Sequence, residues 1–151
     1  MSNAGKIHEF MKAVESIVPK YLQVQEDFQI ADGNMALYIL DGDGNMYGRM
    51  FGSDRAKQRI SGKVAWHKVT QVWLSEKPTG VYEKLVYNNE VNWWEFGVPK
   101  NEFIGWEGGM PAVLEDGSKI AIALSGLRGD KDCEVLREAA ALVGGIKLIE
   151  G

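Results

Sequence analysis

The sequence predicts an α+β fold: an antiparallel sheet built from two hairpins and flanked by helices. Three observations carry that prediction. Two apolar runs each turn back on a cluster of turn formers, Asp41-Gly42-Asp43-Gly44-Asn45 and Glu115-Asp116-Gly117-Ser118. Gly and Asn tolerate the positive φ that tight hairpins demand, so such clusters belong between antiparallel strands. Stretches with three-four apolar spacing precede each hairpin and follow the second, and a sheet needs such helices to hide a face. No repeat, low-complexity tract or long linker divides the 151 residues, so the chain reads as one domain over residues 5–150.

The elements follow in order. From about Lys6 to Phe28, the positions Ile7, Phe10, Met11, Val14, Ile17 and Val18 keep helical spacing. Pro19 ends or kinks that helix, because proline lacks the N–H the ladder needs. Met35 to Leu40 and Met46 to Met50 are the strands of the first hairpin. The acidic turn between them lacks the length and terminal Glu of a calcium loop. Ser53 or Asp54 caps a long helix from Arg55 to about Leu74. Its apolar positions Ala56, Ile60, Val64, Ala65, Val69, Val72 and Trp73 leave a narrow polar stripe of Arg59, Lys63, His67 and Thr70. Val81 to Tyr87 suits a further short helix.

Residues 88–109 show no period and hold Trp93, Trp94, Phe96, Phe103 and Trp106, which reads as a long functional loop. Pro111 to Leu114 and Lys119 to Leu124 make the second hairpin. A helix then starts at Asp130 or Asp132 and runs through Leu142 until Gly144-Gly145 stops it.

Composition excludes some functions. The net charge of −4 argues against a non-specific nucleic-acid binder, which would carry a basic face. Cys133 is the only cysteine, so no intramolecular disulfide forms and a reducing compartment is favoured. With no leader pattern and no apolar stretch of bilayer length, the expectation is a soluble, cytoplasmic chain with no membrane partner. Ser125-Gly126 lacks the Gly-x-Ser-x-Gly setting of a nucleophile elbow. Two histidines are too few for a typical structural zinc site. No Gly-rich loop sits between a strand and a helix to cradle a nucleotide phosphate.

Leu40-Asp41-Gly42-Asp43-Gly44-Asn45 followed by Arg49-Met50-Phe51-Gly52 resembles the first hairpin of GlcG/HbpS-like domains. This group includes the C-terminal domain of PduO-type proteins. Gly109-Met110-Pro111, the strand pair around Asp116-Gly117, Ser125-Gly126 and Asp132 are similar to the family's second half. Relatives carry Lys-Ala-x-Thr-Ala in the long helix, where this chain has Lys63-Val64-Ala65-Trp66-His67. The resemblance implies a profilin- or PAS-like antiparallel sheet flanked by helices, a homo-oligomer, and haem as the bound cofactor.

Haem needs a flat apolar slot, commonly an axial donor, and cations for its propionates. His67, on the polar stripe with Lys63, is the candidate iron ligand; His8 is the other histidine. Lys63, Arg49 and Arg128 are candidate carboxylate partners. Gly108, Gly109 and Pro111 on one loop, and Gly126 on another, would let backbone approach a ligand closely. The tryptophans could wall a planar molecule, or fill the core and a subunit interface. The leading expectation is a domain binding haem or another planar acidic small molecule. The alternatives are an enzyme acting on a small carboxylate and an assembly protein whose aromatic loop binds a partner.

Overall fold

A computed structural model describes residues 2–151. The elements are α1 (Asn3–Leu22), α2 (Gln25–Phe28), β1 (Met35–Asp41), β2 (Met46–Phe51), α3 (Arg55–Ser75) and α4 (Thr79–Tyr87). They are followed by β3 (Gly109–Leu114), β4 (Lys119–Ser125), α5 (Gly129–Val143) and β5 (Ile146–Leu148). The two hairpins join through β1 and β4 into one antiparallel sheet of order β2-β1-β4-β3-β5. Helices α1 and α5 cover one face and α3 the other. This is the expected α+β architecture, with β5 added.

The face under α1 and α5 holds the larger core. Met35, Leu37 and Ile39 alternate inward on β1, as Ile120, Ile122 and Leu124 do on β4. They meet Ile7, Phe10 and Val14 of α1 and Val135, Leu136 and Ala139 of α5. The opposite face is lined by Ala36, Ala121, Ala123 and Gly109, which share one side of the pleat by register. Such small residues let a helix lie close, and α3 answers with small residues of its own: Ser61, Gly62 and Ala65 are all buried. A Cβ on Gly62 would stand 2.8 Å from the Met50 side chain, and one on Gly109 would stand 2.8 Å from Thr79 and 2.9 Å from Val72.

Several expectations change. The first helix runs through Pro19 to Leu22. The proline removes only the bond to the Glu15 carbonyl, on the exposed side of the helix near its end. The face that α3 buries is only partly the apolar stripe read from the sequence: Ala65, Val69 and Val72 are buried as expected. Gln58, Ser61, Lys68, Gln71 and Ser75 go inward, while Ile60, Trp73 and Leu74 stay exposed. The close-packed sheet face selects for size, and each polar side chain finds a partner. Gln58 donates to the Gly52 carbonyl and Ser61 to that of Asn34. The acidic hairpin turn also satisfies itself: Asp41 accepts from the Asp43 and Asn45 N–H groups and from the Asn45 amide and Tyr47 hydroxyl.

Residues 88–108 form the expected long connection, with one 3₁₀ turn at Lys100–Glu102. It is tied down rather than loose. Gln71 bonds both ways to the Ile104 main chain, Thr79 donates to the Trp106 carbonyl, and Tyr82 donates to the Trp93 carbonyl. Among the described residues no helix is long and apolar enough to cross a membrane.

The two faces should answer oppositely to side-chain volume. Phe10→Ala opens a cavity in the α1 layer and is expected to cost about 3–5 kcal/mol. Ala123→Leu overfills the α3 layer and should cost about 1–3 kcal/mol. Urea denaturation of each variant measures both.

Candidate functional site

At the N-terminal half of α3 the sheet end opens into a cleft of about 620 Å³, within the range of small-molecule sites. Three segments wall it. Helix α3 contributes Lys57, Ile60, Ser61, Val64 and Lys68; the α2–β1 connection gives Ile30, Ala31 and Asp32; the turn from β4 into α5 gives residues 125–129 and Asp132. Trp106 closes the fourth side, carried there by the pinned 103–108 segment. The apolar walls reach the mouth, where Trp106 and Ile60 are 67% and 66% exposed.

The floor is polar. Lys68 is a buried lysine, with its side chain 2% exposed beside an Asp132 side chain 1% exposed. Its Nζ donates to the Leu124 carbonyl at 3.0 Å and to Asp132 Oδ2 at 3.5 Å, and Asp132 Oδ1 accepts the Leu127 N–H at 3.1 Å. Burial disfavours both charged forms, holding the Lys68 ammonium below its usual range and the Asp132 carboxyl above its own, while their mutual attraction opposes both shifts. Two glycines make the arrangement fit. Gly108 has φ +121°, and a Cβ there would stand 2.7 Å from Lys68 Nζ and 2.5 Å from the Leu124 oxygen. Gly126 has φ +134°, and its Cβ would strike Met35 at 2.5 Å. Both are regions that side-chain-bearing residues avoid.

Two ion pairs frame the mouth. Arg128 holds the fully buried Asp27 through Nε at 2.9 Å and Nη2 at 3.2 Å, while its own N–H adds a third bond. The guanidinium keeps the Asp27 carboxyl below the usual carboxylate range. Across the cleft, Lys57 pairs with Asp32. Asp27 and Asp32 thereby strap the 25–34 segment, and Asn34 ties down its end by donating to the Ala31 carbonyl and accepting from the Asp54 N–H.

Of the residues singled out from the sequence, Gly126 and Arg128 line this cleft. Lys63 and His67 do not: they stand on the outward flank of α3, and the lysine that enters the cleft is Lys68, five positions on. Arg49 points to the other face of the sheet, where it pairs with Glu15 at 2.6 Å. Gly108 and Gly109 line a smaller hollow with Cys133, and Pro111 another beside Trp73. His8 packs edge-on against Tyr47. Sequence reasoning passed over Lys68 because a lysine among apolar residues reads as solvent-facing. The signal was its phase. Ser61, Ala65 and Lys68 follow at four and three residues, so the lysine shares its face with small residues.

No family model matches the chain, and no curated protein matches it by sequence. Solved structures do. PduOC in complex with heme superposes with a TM-score of 0.67 at 16% identity, covering 97% of this chain and 96% of that one. A double mutant of HbpS from Streptomyces reticuli gives 0.61 at 18%, covering 91% and 85%. Protein ORFY of Klebsiella pneumoniae gives 0.61 at 15%, covering 94% and 90%. The chain therefore has the fold of GlcG/HbpS-like domains over nearly its whole length.

A haem would find apolar walls for its ring and Arg128 near the mouth for a propionate. Apolar walls and a rim arginine are groups that suit the ring and a carboxylate of a porphyrin. Among the described residues lining the cleft there is no His, Met, Cys or Tyr, the side chains that commonly ligate its iron.

Two outcomes follow from the charges. Lys68→Met strands a buried carboxylate and is expected to cost about 3–5 kcal/mol, whereas Lys68→Met/Asp132→Asn recovers most of it. Asp27, whose carboxyl is held low, contributes stability above its unfolded value of about 4 and loses it as pH falls through its folded value. The denaturation midpoints of the native protein and Asp27→Asn should differ by a constant amount between pH 7 and 5, roughly, and converge below about 4.

Proposed function

We propose that this chain is a small-ligand-binding domain whose cleft takes a planar, acidic molecule of the porphyrin class. The cleft itself carries the reading: a hollow of about 620 Å³ walled by Ile30, Ile60, Val64, Leu127 and Trp106, with cations at its rim. Burying a flat apolar body there supplies affinity in proportion to the area removed from water. Trp106 offers a ring face for stacking. Arg128 uses Nε and Nη2 on Asp27, which leaves Nη1 for a ligand carboxylate.

Haem is the member of that class supported by PduOC, whose solved complex contains it. The donor set of the cleft adds a constraint. Binding through these walls draws on the ring and the propionates, with no contribution from a protein ligand to iron. Gly126 and Arg128 belong to this site, joined by Ile60, Lys68 and Trp106.

A homo-oligomer is the second part of the proposal. Trp66, Trp73, Leu74 and Met46 expose apolar surface on α3 and at the start of β2, outside the residues that line the cleft, and interfaces are enriched in aromatic residues and Met.

The two halves are tested separately. Titration with haemin and with metal-free protoporphyrin IX, followed by Soret absorbance and tryptophan quenching, should give dissociation constants within about tenfold of each other. Arg128→Ala and Ile60→Glu should each weaken both, by about 1–3 kcal/mol. His67→Ala should leave both unchanged. Binding of haemin alone, abolished by His67→Ala, would overturn this account of the site. For the assembly, light scattering coupled to size exclusion should show a mass above 16.8 kDa that Trp73→Lys reduces.

A further inference from the structure

We propose that Lys68 is a carbonyl-reactive amine, and that the cleft condenses it with an aldehyde or ketone that also carries a carboxylate. The inference rests on the reading of the cleft as a ligand site and assigns chemistry to its floor. The pair that Lys68 forms with Asp132 joins α3 to α5, and the lysine is also placed to meet a ligand. It lines a 620 Å³ hollow, is almost wholly withdrawn from bulk water, and has a carboxyl group 3.5 Å from its nitrogen. Desolvation and a neighbouring acid–base group are what turn a lysine from a point charge into a nucleophile.

The groups facing Nζ are few. The Leu124 carbonyl of β4 and Asp132 of α5 hydrogen-bond to it, while Glu107 and the Cys133 thiol lie further off. Burial pushes that thiol up to about 11, so it stays protonated and uncharged at neutral pH. Gly108, with no Cβ, lets its backbone pack against Nζ, so a ligand reaches the amine from the cleft that Lys68 lines. Asp132 is held by the Leu127 N–H, which fixes Oδ2 toward the amine.

The steps balance with water as the only by-product. A proton passes from the Lys68 ammonium to Asp132 Oδ2, which frees the nitrogen lone pair. Nζ attacks the carbonyl carbon, a C–N bond forms, and the π pair moves to oxygen. That oxygen takes a proton from nitrogen to give the carbinolamine. Asp132 returns its proton to the hydroxyl, the C–O bond breaks, water leaves, and an iminium remains beside the Asp132 carboxylate. The charges at the end equal those at the start, so the buried site gains no unpaired ion. Arg128 Nη1 at the rim would take the carboxylate of the same molecule.

The test is reductive trapping on the full chain at pH 7. The protein is incubated with 4-carboxybenzaldehyde and sodium cyanoborohydride and read by intact mass and peptide mapping. Lys68 should be modified about tenfold or more faster than exposed lysines such as Lys12 and Lys147, because the cleft holds the aldehyde beside its nitrogen. Protoporphyrin IX should block that labelling. Lys68→Arg keeps a cation on Asp132 and should abolish it without unfolding the protein, checked by circular dichroism. Arg128→Ala should slow trapping of 4-carboxybenzaldehyde more than that of benzaldehyde. Labelling of Lys68 no faster than of Lys12, in protein that still binds the porphyrin, overturns the proposal and leaves the cleft reading standing. Absence of both trapping and porphyrin binding overturns both.

Discussion

The contact between Lys68, the Leu124 carbonyl and Asp132 is where the layers of this protein meet. Lys68 comes from the helix on one face of the sheet, Leu124 from a central strand, and Asp132 from the first turn of a helix on the other face. A pair buried to this extent contributes little net stability, because desolvation consumes most of the attraction. Its value is positional. An ammonium and a carboxylate inside a protein must find each other, so any packing of α3 against α5 that separates them is heavily penalised. The small residues of the α3 face permit the approach, and the buried charges allow few alternatives to it.

The cleft is a consequence of that geometry. The turn after β4 bends sharply at Gly126 because Met35 lies against it. The bend opens space between α3 and the start of α5. The 25–34 segment then closes one side, held by Asp27 on Arg128 and Asp32 on Lys57. On the opposite side, Gln71 and Thr79 hold the segment that presents Trp106. The rim is fixed by polar bonds and the walls are apolar. This division suits a site that must keep its shape and still attract a flat molecule out of water.

A fold of this kind hosts different chemistries through the residues it places at one end. The solved relatives share the scaffold at 14–18% identity, a level at which side chains of a site are free to differ. Among the described residues, the lining of this cleft holds no His, Met, Cys or Tyr and includes a buried amine. Those two facts, more than the scaffold, shape the reading of the ligand as an acidic planar compound and of the floor as reactive toward carbonyls.

The sequence by itself determined the order of elements, the two hairpins and most element boundaries. These rest on local chemistry: turn residues that accept positive φ, a capping Asp54, and alternation along strands whose inner face must be apolar. The resemblance in motif order agreed with the fold. Only the tertiary structure decided which polar side chains of α3 join Ala65, Val69 and Val72 on its buried face, because close packing on a sheet face lined by Ala and Gly admits small or hydrogen-bonded side chains there. For the same reason it decided the site lysine. Lys63 and Lys68 look alike as sequence, and they differ in that one lies on the flank while the other shares the face of Ser61 and Ala65. Strand β5 was also invisible: three residues carry no readable period, and they become a strand only because β3 offers an open edge to pair with.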